Sequence, residues 1–237
     1  MEFSIIIPSY NGSQSLLKNL PEFILFLAEM KLSHEIIVVD DGSSDFKVIE
    51  NFCLQNQLIF LRNEQNLGKG AAVKKGVLNS KGKYIIFTDV DIPFEYSCFE
   101  LFLENLRNSN IDLVVGDRLL DASIYFMEIS KKRKRASEIF AWCVDKFILG
   151  GRFDTQCGMK GFKKDVAVSL FQKSRINGFA FDVEILSMAV RKNYSIKRLP
   201  VKLRNQENSS IHLLKHSFEM IWDLIRIKIF QLSGKYK

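Results

Sequence analysis

Short apolar runs separated by polar turns open the chain. Phe3–Ile7 is continuously apolar and closes at Pro8, the signature of a strand buried on both faces. Leu16, Leu17, Leu20, Phe23, Ile24 and Leu27 then recur at helical spacing, and Pro21 predicts a restart or kink within that helix. Glu35–Val39 repeats the buried-strand pattern and ends at Asp40-Asp41-Gly42. Leu58–Leu61 predicts a third strand, Lys69–Asn79 a helix, and Tyr84–Thr88 a fourth strand that ends at Asp89-Val90-Asp91.

Strands alternating with helices imply parallel strands joined by helical crossovers, hence an α/β fold with a mainly parallel central sheet flanked by helices. Asp112–Val115 predicts a fifth strand, after which the alternation loosens. Ala136–Leu149 is amphipathic and stops at Gly150-Gly151; Phe181–Arg191 reads as a helix and Ile196–Leu203 as extended chain. Apolar residues at 214, 218, 221, 222, 225, 229 and 232 predict a C-terminal amphipathic helix. That helix is expected to pack on the protein's own core; the alternative lays it in a membrane interface with Trp222 and Phe218 inserted. With no repeat or linker in view, residues 1–237 are expected to form one domain.

Composition adds an ordinary globular balance, 47% hydrophobic and 26% charged, and a net charge of +7 that suits an anionic partner. Five consecutive basic residues form one unbroken run, Lys131–Arg135. It contains no aromatic residue, which argues against nucleic acid as a partner. Cys53, Cys98, Cys143 and Cys157 form no CxxC pair or framework and fit thiols in a reducing compartment. Met1-Glu2 leads directly into a strand, so no signal peptide is expected, and no run approaches the about 18 apolar residues that cross a bilayer. The expectation is a cytoplasmic protein, held peripherally at the cytoplasmic face of a membrane where its substrate requires it.

Ligands of parallel α/β sheets gather at the carboxyl ends of the strands, where three polar clusters fall. Asp89 and Asp91, two residues apart, project to one side of a strand end and offer hard oxygen donors for Mg²⁺ or Mn²⁺ beside a diphosphate. Asp40 opens Asp40-Asp41-Gly42-Ser43-Ser44-Asp45, which reads as a capped turn into a helix or as a carboxylate for a nucleobase or ribose. Asn66-Leu67-Gly68-Lys69-Gly70 places glycines and a lysine at a helix start, suited to an anion, without the spacing of a P-loop or a dinucleotide fingerprint.

Ile7-Pro8-Ser9-Tyr10-Asn11, the Asp40–Asp45 cluster, Asn66–Gly70 and Thr88-Asp89-Val90-Asp91, in that order, resemble the motifs of family 2 glycosyltransferases with the GT-A fold. Asp154-Thr155-Gln156-Cys157-Gly158-Met159-Lys160 and Phe181-Asp182-Val183-Glu184 narrow the resemblance to polyprenyl-phosphate hexosyltransferases, dolichyl-phosphate glucosyl- and mannosyltransferases among them. The resemblance implies that Pro8, Tyr10, Asn11 and Asp40 line a nucleoside pocket, that Asp89 and Asp91 hold the diphosphate and a metal, and that Lys69 and Arg118 serve the donor's phosphates. It places Asp154, Gln156 and Asp182 near sugar and acceptor, and Arg133 and Arg135 in a basic acceptor loop. It also divides the one domain into a nucleotide-binding half at 1–117 and an acceptor-binding half at 118–237. Three residues depart from the pattern. Asp117 replaces a small residue before Arg118, and Asn208 and Ser210 stand where relatives carry glycine and lysine.

The implied reaction is an inverting transfer of hexose from UDP-glucose or GDP-mannose to a polyprenyl phosphate. A membrane-embedded partner protein is compatible with the missing membrane span. Two alternatives stay open on the residues alone. One is a family 2 transferase acting on a saccharide hydroxyl, which needs a general base for which Asp154 and Asp182 are candidates. The other is an inactive nucleotide-sugar binding module. His212 and His216 are four apart but lack a third ligand, so a zinc site is not expected.

Overall fold

The computed structural model describes residues 1–124, 140–151, 154–204 and 213–236, with backbone alone for 213–218. Seven strands form one sheet in the order β3-β2-β1-β4-β6-β5-β7. They are β1 (Phe3–Ser9), β2 (His34–Asp41), β3 (Ile59–Asn63), β4 (Tyr84–Phe87), β5 (Leu113–Gly116), β6 (Lys160–Lys163) and β7 (Ile196–Leu199). β1 pairs in parallel with β2 and β4, β2 with β3, and β5 with β7, whereas β6 runs antiparallel between β4 and β5. The mainly parallel sheet is therefore as expected, with β6 as the strand that reverses.

Each central strand is buried on both sides, and its residues divide between two cores by simple alternation. Ile5, Ile7, Ile36 and Val38 face helices α1 (Ser13–Glu29), α2 (Phe46–Gln55) and α4 (Ser97–Arg107). Ile6, Ile37 and Val39 face α3 (Lys69–Asn79), α5 (Lys164–Lys173) and α6 (Phe181–Arg191). Helix α1 is continuous through Pro21, so the expected restart does not occur. The carbonyl that Pro21 leaves unpaired belongs to Leu17, and both residues lie on the exposed side, where water can take over.

The amphipathic stretch before Gly150 is helical over 140–149, and its final turn, Asp145–Leu149, is π-helical. The last helix, α7 (Leu213–Leu232), rests against that turn and sends Leu224 and Ile227 into the core. Packing on the protein's own core is thus correct for one face only. Trp222 is 63% exposed and shares the outer face with Ile221, Ile225, Ile229 and Leu232. All four cysteines are free, and burial pushes the Cys53 and Cys157 thiols up to about 12, which keeps them protonated and unreactive.

Candidate active site

Parallel register sets Ser9 of β1 beside Asp40 of β2, and Ile6 beside Phe87 of β4, so three adjacent strands end on one rim. Pro8 lies buried inside β1 opposite Val39, and Tyr10, just beyond, is 53% exposed. Asn11 takes a left-handed backbone (φ 47°) that turns its amide toward the β2 loop. Its Oδ1 accepts from the Ser44 N–H at 3.0 Å and the Ser44 hydroxyl at 3.1 Å, while its own N–H donates to Ser43 Oγ at 2.8 Å. The loops after β1 and β2 are thereby stitched into one wall.

Asp40 is fully buried in that wall. Its Oδ2 accepts from the Ser43 N–H at 3.2 Å and from Arg62 Nε at 3.3 Å, while Oδ1 has no hydrogen-bond partner. An orphaned oxygen on a buried carboxylate is costly, and a donor group on a ligand would relieve it. Arg62 is itself stacked on Phe46, 3.6 Å from the ring centroid. Nothing in the local pattern around β3 marked Arg62; its role arises from the β2–β3 pairing that sets it opposite Asp40.

Asp41 does different work. Its carboxylate accepts from Asn63 Nδ2 at 2.7 Å, the Leu67 N–H at 3.1 Å and the Gly68 N–H at 2.7 Å, so it holds the Asn66–Gly70 loop against β2. The far side of that loop abuts the entry to α6. A Cβ on Gly68 would lie 2.4 Å from the Asn177 carbonyl oxygen, and one on Gly70 would lie 2.6 Å from Phe181 Cβ. The Ala71 N–H donates to that same Asn177 carbonyl. At the start of α3 the amides of Gly68 and Ala71 are thus already occupied, and the glycines also serve close packing. Lys69 stands between them.

Lys69 Nζ meets Asp89 Oδ1 at 2.5 Å. Burial alone would lower the lysine's pKa, but the carboxylates of Asp89, Asp182 and Asp91 more than offset it and hold the ammonium above its usual range. Asp89 and Asp91 are both half-buried at the end of β4. Behind Asp89 stands Gly158, where a Cβ would fall 2.0 Å from Asp89 Oδ2. The 154–160 motif is therefore in part a floor for Asp89.

Asp182, at the first turn of α6, is 4% exposed and pairs at 2.6 Å with Lys160, which is fully buried. Lys160 Nζ also donates to the carbonyls of Cys157 at 2.8 Å and Thr155 at 3.1 Å. Burial pushes the Asp182 carboxyl up despite the opposing pull of Lys160 and Lys69. Lys160, which sequence reading assigned no role, is thus the hub that ties the 154–160 turn to α6.

Asp154 is clamped by Arg118 through the backbone N–H at 3.0 Å, Nε to Oδ2 at 2.5 Å and Nη2 to Oδ1 at 2.7 Å. Burial raises its pKa, and the Arg118 contacts outweigh that and leave the carboxyl below its ordinary value. Asp117, the departure from the family pattern, is fully buried and pairs with Arg198 of β7 at 2.5 Å. Gln156 Nε2 is buried without a partner in the same turn. Arg133 and Arg135, with the rest of Lys131–Arg135, lie outside the described residues, as do Asn208, Ser210 and His212.

A family model described as glycosyl transferase family 2 matches residues 4–166. The chain is 33% identical over 259 residues to the dolichyl-phosphate beta-glucosyltransferase of Saccharomyces cerevisiae, covering 99% of this chain and 76% of that one. It is 32% identical over 253 residues to the enzyme of the same name from Dictyostelium discoideum, with the same coverage of 99% and 76%. Among solved structures it resembles glucosyl-3-phosphoglycerate synthase from Mycobacterium tuberculosis in complex with uridine diphosphate, at a TM-score of 0.68 and 18% identity, covering 96% of this chain and 80% of that one. The same enzyme with Mn²⁺, uridine diphosphate and phosphoglyceric acid gives 0.68 and 19%, covering 96% and 78%. At that identity the likeness establishes the shared fold.

Proposed function

This chain belongs to glycosyl transferase family 2, and from that membership we propose that it transfers glucose from UDP-glucose to a polyprenyl phosphate, with inversion at the anomeric carbon. In this reading residues 1–117 bind the donor, and Asp40 uses its unpartnered Oδ1 to accept a hydrogen bond from the nucleoside. Tyr10 and Asn11 complete that side.

The observation that carries the acceptor assignment is that both candidate bases are engaged in ion pairs. Asp154 is clamped by Arg118, and Asp182 is sealed in its pair with Lys160. A hydroxyl acceptor needs a positioned base. A phosphate monoester does not, because a second pKa of about 6 leaves it largely dianionic at pH 7. Its oxygen attacks the anomeric carbon, the bond from that carbon to the β-phosphate oxygen breaks, and UDP departs with the electron pair. Asp154 and Asp182 then act by holding Arg118 and the 154–160 turn in place, and we assign Gln156, whose buried Nε2 lacks a partner, to the acceptor side. We assign Arg133 and Arg135 to the acceptor phosphate on their charge and place in the chain.

Asp89 and Asp91 supply oxygen donors only, and among the described residues no group of three or more His, Cys, Asp or Glu is arranged to hold a metal alone. That donor set fits Mg²⁺ or Mn²⁺ completed by the donor's phosphates, the usual arrangement for a hard cation with few protein ligands. When bound, the cation neutralises charge gathering on the departing diphosphate.

Among the described residues no helix is long and apolar enough to cross a membrane. The outer face of α7 nevertheless exposes Ile221, Trp222, Ile225, Ile229 and Leu232, and Trp142 and Phe147 are exposed on the neighbouring 140–149 helix. Lys228 Nζ joins the two by donating to the Phe147 carbonyl at 2.8 Å. An apolar stripe with aromatics and lysines suits the interface of a bilayer and supports peripheral attachment to a membrane.

The test is transfer of label from UDP-glucose or GDP-mannose to a short polyprenyl phosphate with Mg²⁺ or Mn²⁺. Labelled lipid is expected from UDP-glucose alone and not from the Asp91→Ala variant. Label from GDP-mannose, or release of free sugar without labelled lipid, contradicts the assignment.

A further inference from the structure

Each oxygen of Asp89 has a close neighbour. Oδ2 packs over Gly158, and Oδ1 is held by Lys69 Nζ at 2.5 Å. The backbone that carries Lys69 is pinned: Asp41 holds the Gly68 N–H, the Asn177 carbonyl holds the Ala71 N–H, and Gly70 abuts Phe181. The lysine side chain is not confined in the same way. It retains 19% exposure and has four carbons of reach, so its ammonium can leave Asp89 without moving α3.

We propose that Lys69 is a latch, occupying Asp89 in the nucleotide-free enzyme and releasing it to a divalent cation only when the donor's diphosphate arrives to accept the ammonium. The inference rests on the donor reading above.

Three features support it. The ammonium stands where Asp89, Asp91 and Asp182 all favour positive charge, so it already provides part of the neutralisation a cation would supply. A cation approaching the free enzyme must displace it and leave it beside a second positive charge. A diphosphate removes that conflict, because an ammonium is a compact three-donor group well matched to phosphate oxygens. Metal and nucleotide then strengthen one another's binding by the same factor, as linkage requires.

The test is binding of Mn²⁺, followed by the electron paramagnetic resonance signal of the free ion, to the whole chain with and without UDP. In the unaltered protein UDP should tighten Mn²⁺ binding by about tenfold or more, about 1.4 kcal/mol for each factor of ten. Lys69→Met should bind Mn²⁺ about tenfold more tightly than the unaltered protein without UDP and lose most of the gain UDP confers. Lys69→Arg, which keeps the charge, should restore weak binding. Adding Asp89→Asn to Lys69→Met should abolish the gained affinity, and matched thermal unfolding without metal establishes that the variants are folded.

If Lys69→Met binds Mn²⁺ no more tightly than the unaltered protein without UDP, the latch is wrong while the donor reading stands. If UDP fails to tighten Mn²⁺ binding in the unaltered protein, the latch and the donor assignment fall together. Gained affinity that survives Asp89→Asn places the ion elsewhere and also overturns the proposal.

Discussion

Gly158 lies beneath Asp89 so closely that a single added methyl would sit 2.0 Å from the carboxylate Oδ2. No side chain fits there unless Asp89 moves, because real Cβ contacts do not approach that distance. Gly158→Ala should therefore displace Asp89 while leaving the sheet intact. The expected outcome is a fall in kcat of about 100-fold, the scale seen when one charge-stabilising group is lost, with thermal stability little changed. Steady-state kinetics beside a melting curve checks it; full activity would show that Asp89 need not hold this position.

The Arg118–Asp154 clamp predicts a pH signature. Asp154 has a folded-state pKa below its ordinary 3.8, so its contribution to stability is fully present above that value and is lost as pH falls through the folded one. Arg118→Gln removes the contacts that depress it. Denaturant midpoints measured from pH 6 downward should show the variant less stable at pH 6, with the difference from the unaltered protein shrinking toward acid. A difference constant across the range would mean that the clamp contributes packing and no charge linkage.

Trp142 and Trp222, the chain's two tryptophans, are 58% and 63% exposed. Replacing both with serine should change folding stability by only about 0.5 kcal/mol each, the range for surface positions. Flotation with vesicles containing anionic lipid should nevertheless fall several-fold, because interfacial aromatics are removed. Unchanged flotation would assign membrane attachment to other residues.

Much of this was legible in the sequence because the central strands are buried on both faces. Phe3–Ile7 and Glu35–Val39 read as continuous apolar runs whatever their neighbours. The clusters at the ends of β1, β2 and β4 were legible for the same reason, since each follows such a run. Helix α4 was not read, although Phe99, Phe102, Leu103 and Leu106 recur at helical spacing and face the core.

The strand β6 could not be read. Lys160-Gly161-Phe162-Lys163 has the look of a charged turn, and its place in the sheet depends on distant contacts. Asp182 neutralises Lys160 from 22 positions away, and Gly161 lets Leu106 and Val114 approach within 2.9 Å of a would-be Cβ. The same holds for Asp117, whose departure from the family pattern makes sense only beside Arg198. Charge pairs across a fold leave no periodic trace, so the residues that hold this site together were the least visible.

A phosphate acceptor, glycosylated without a general base, is what sets this proposal apart from transfer to a hydroxyl. It is tested most directly by offering labelled UDP-glucose with either a polyprenyl phosphate or the corresponding polyprenol at pH 7. β-linked glucose is expected on the phosphate and none on the alcohol. Glucose on the polyprenol or on a saccharide hydroxyl, lost on Asp154→Asn, would contradict it and make Asp154 a working base.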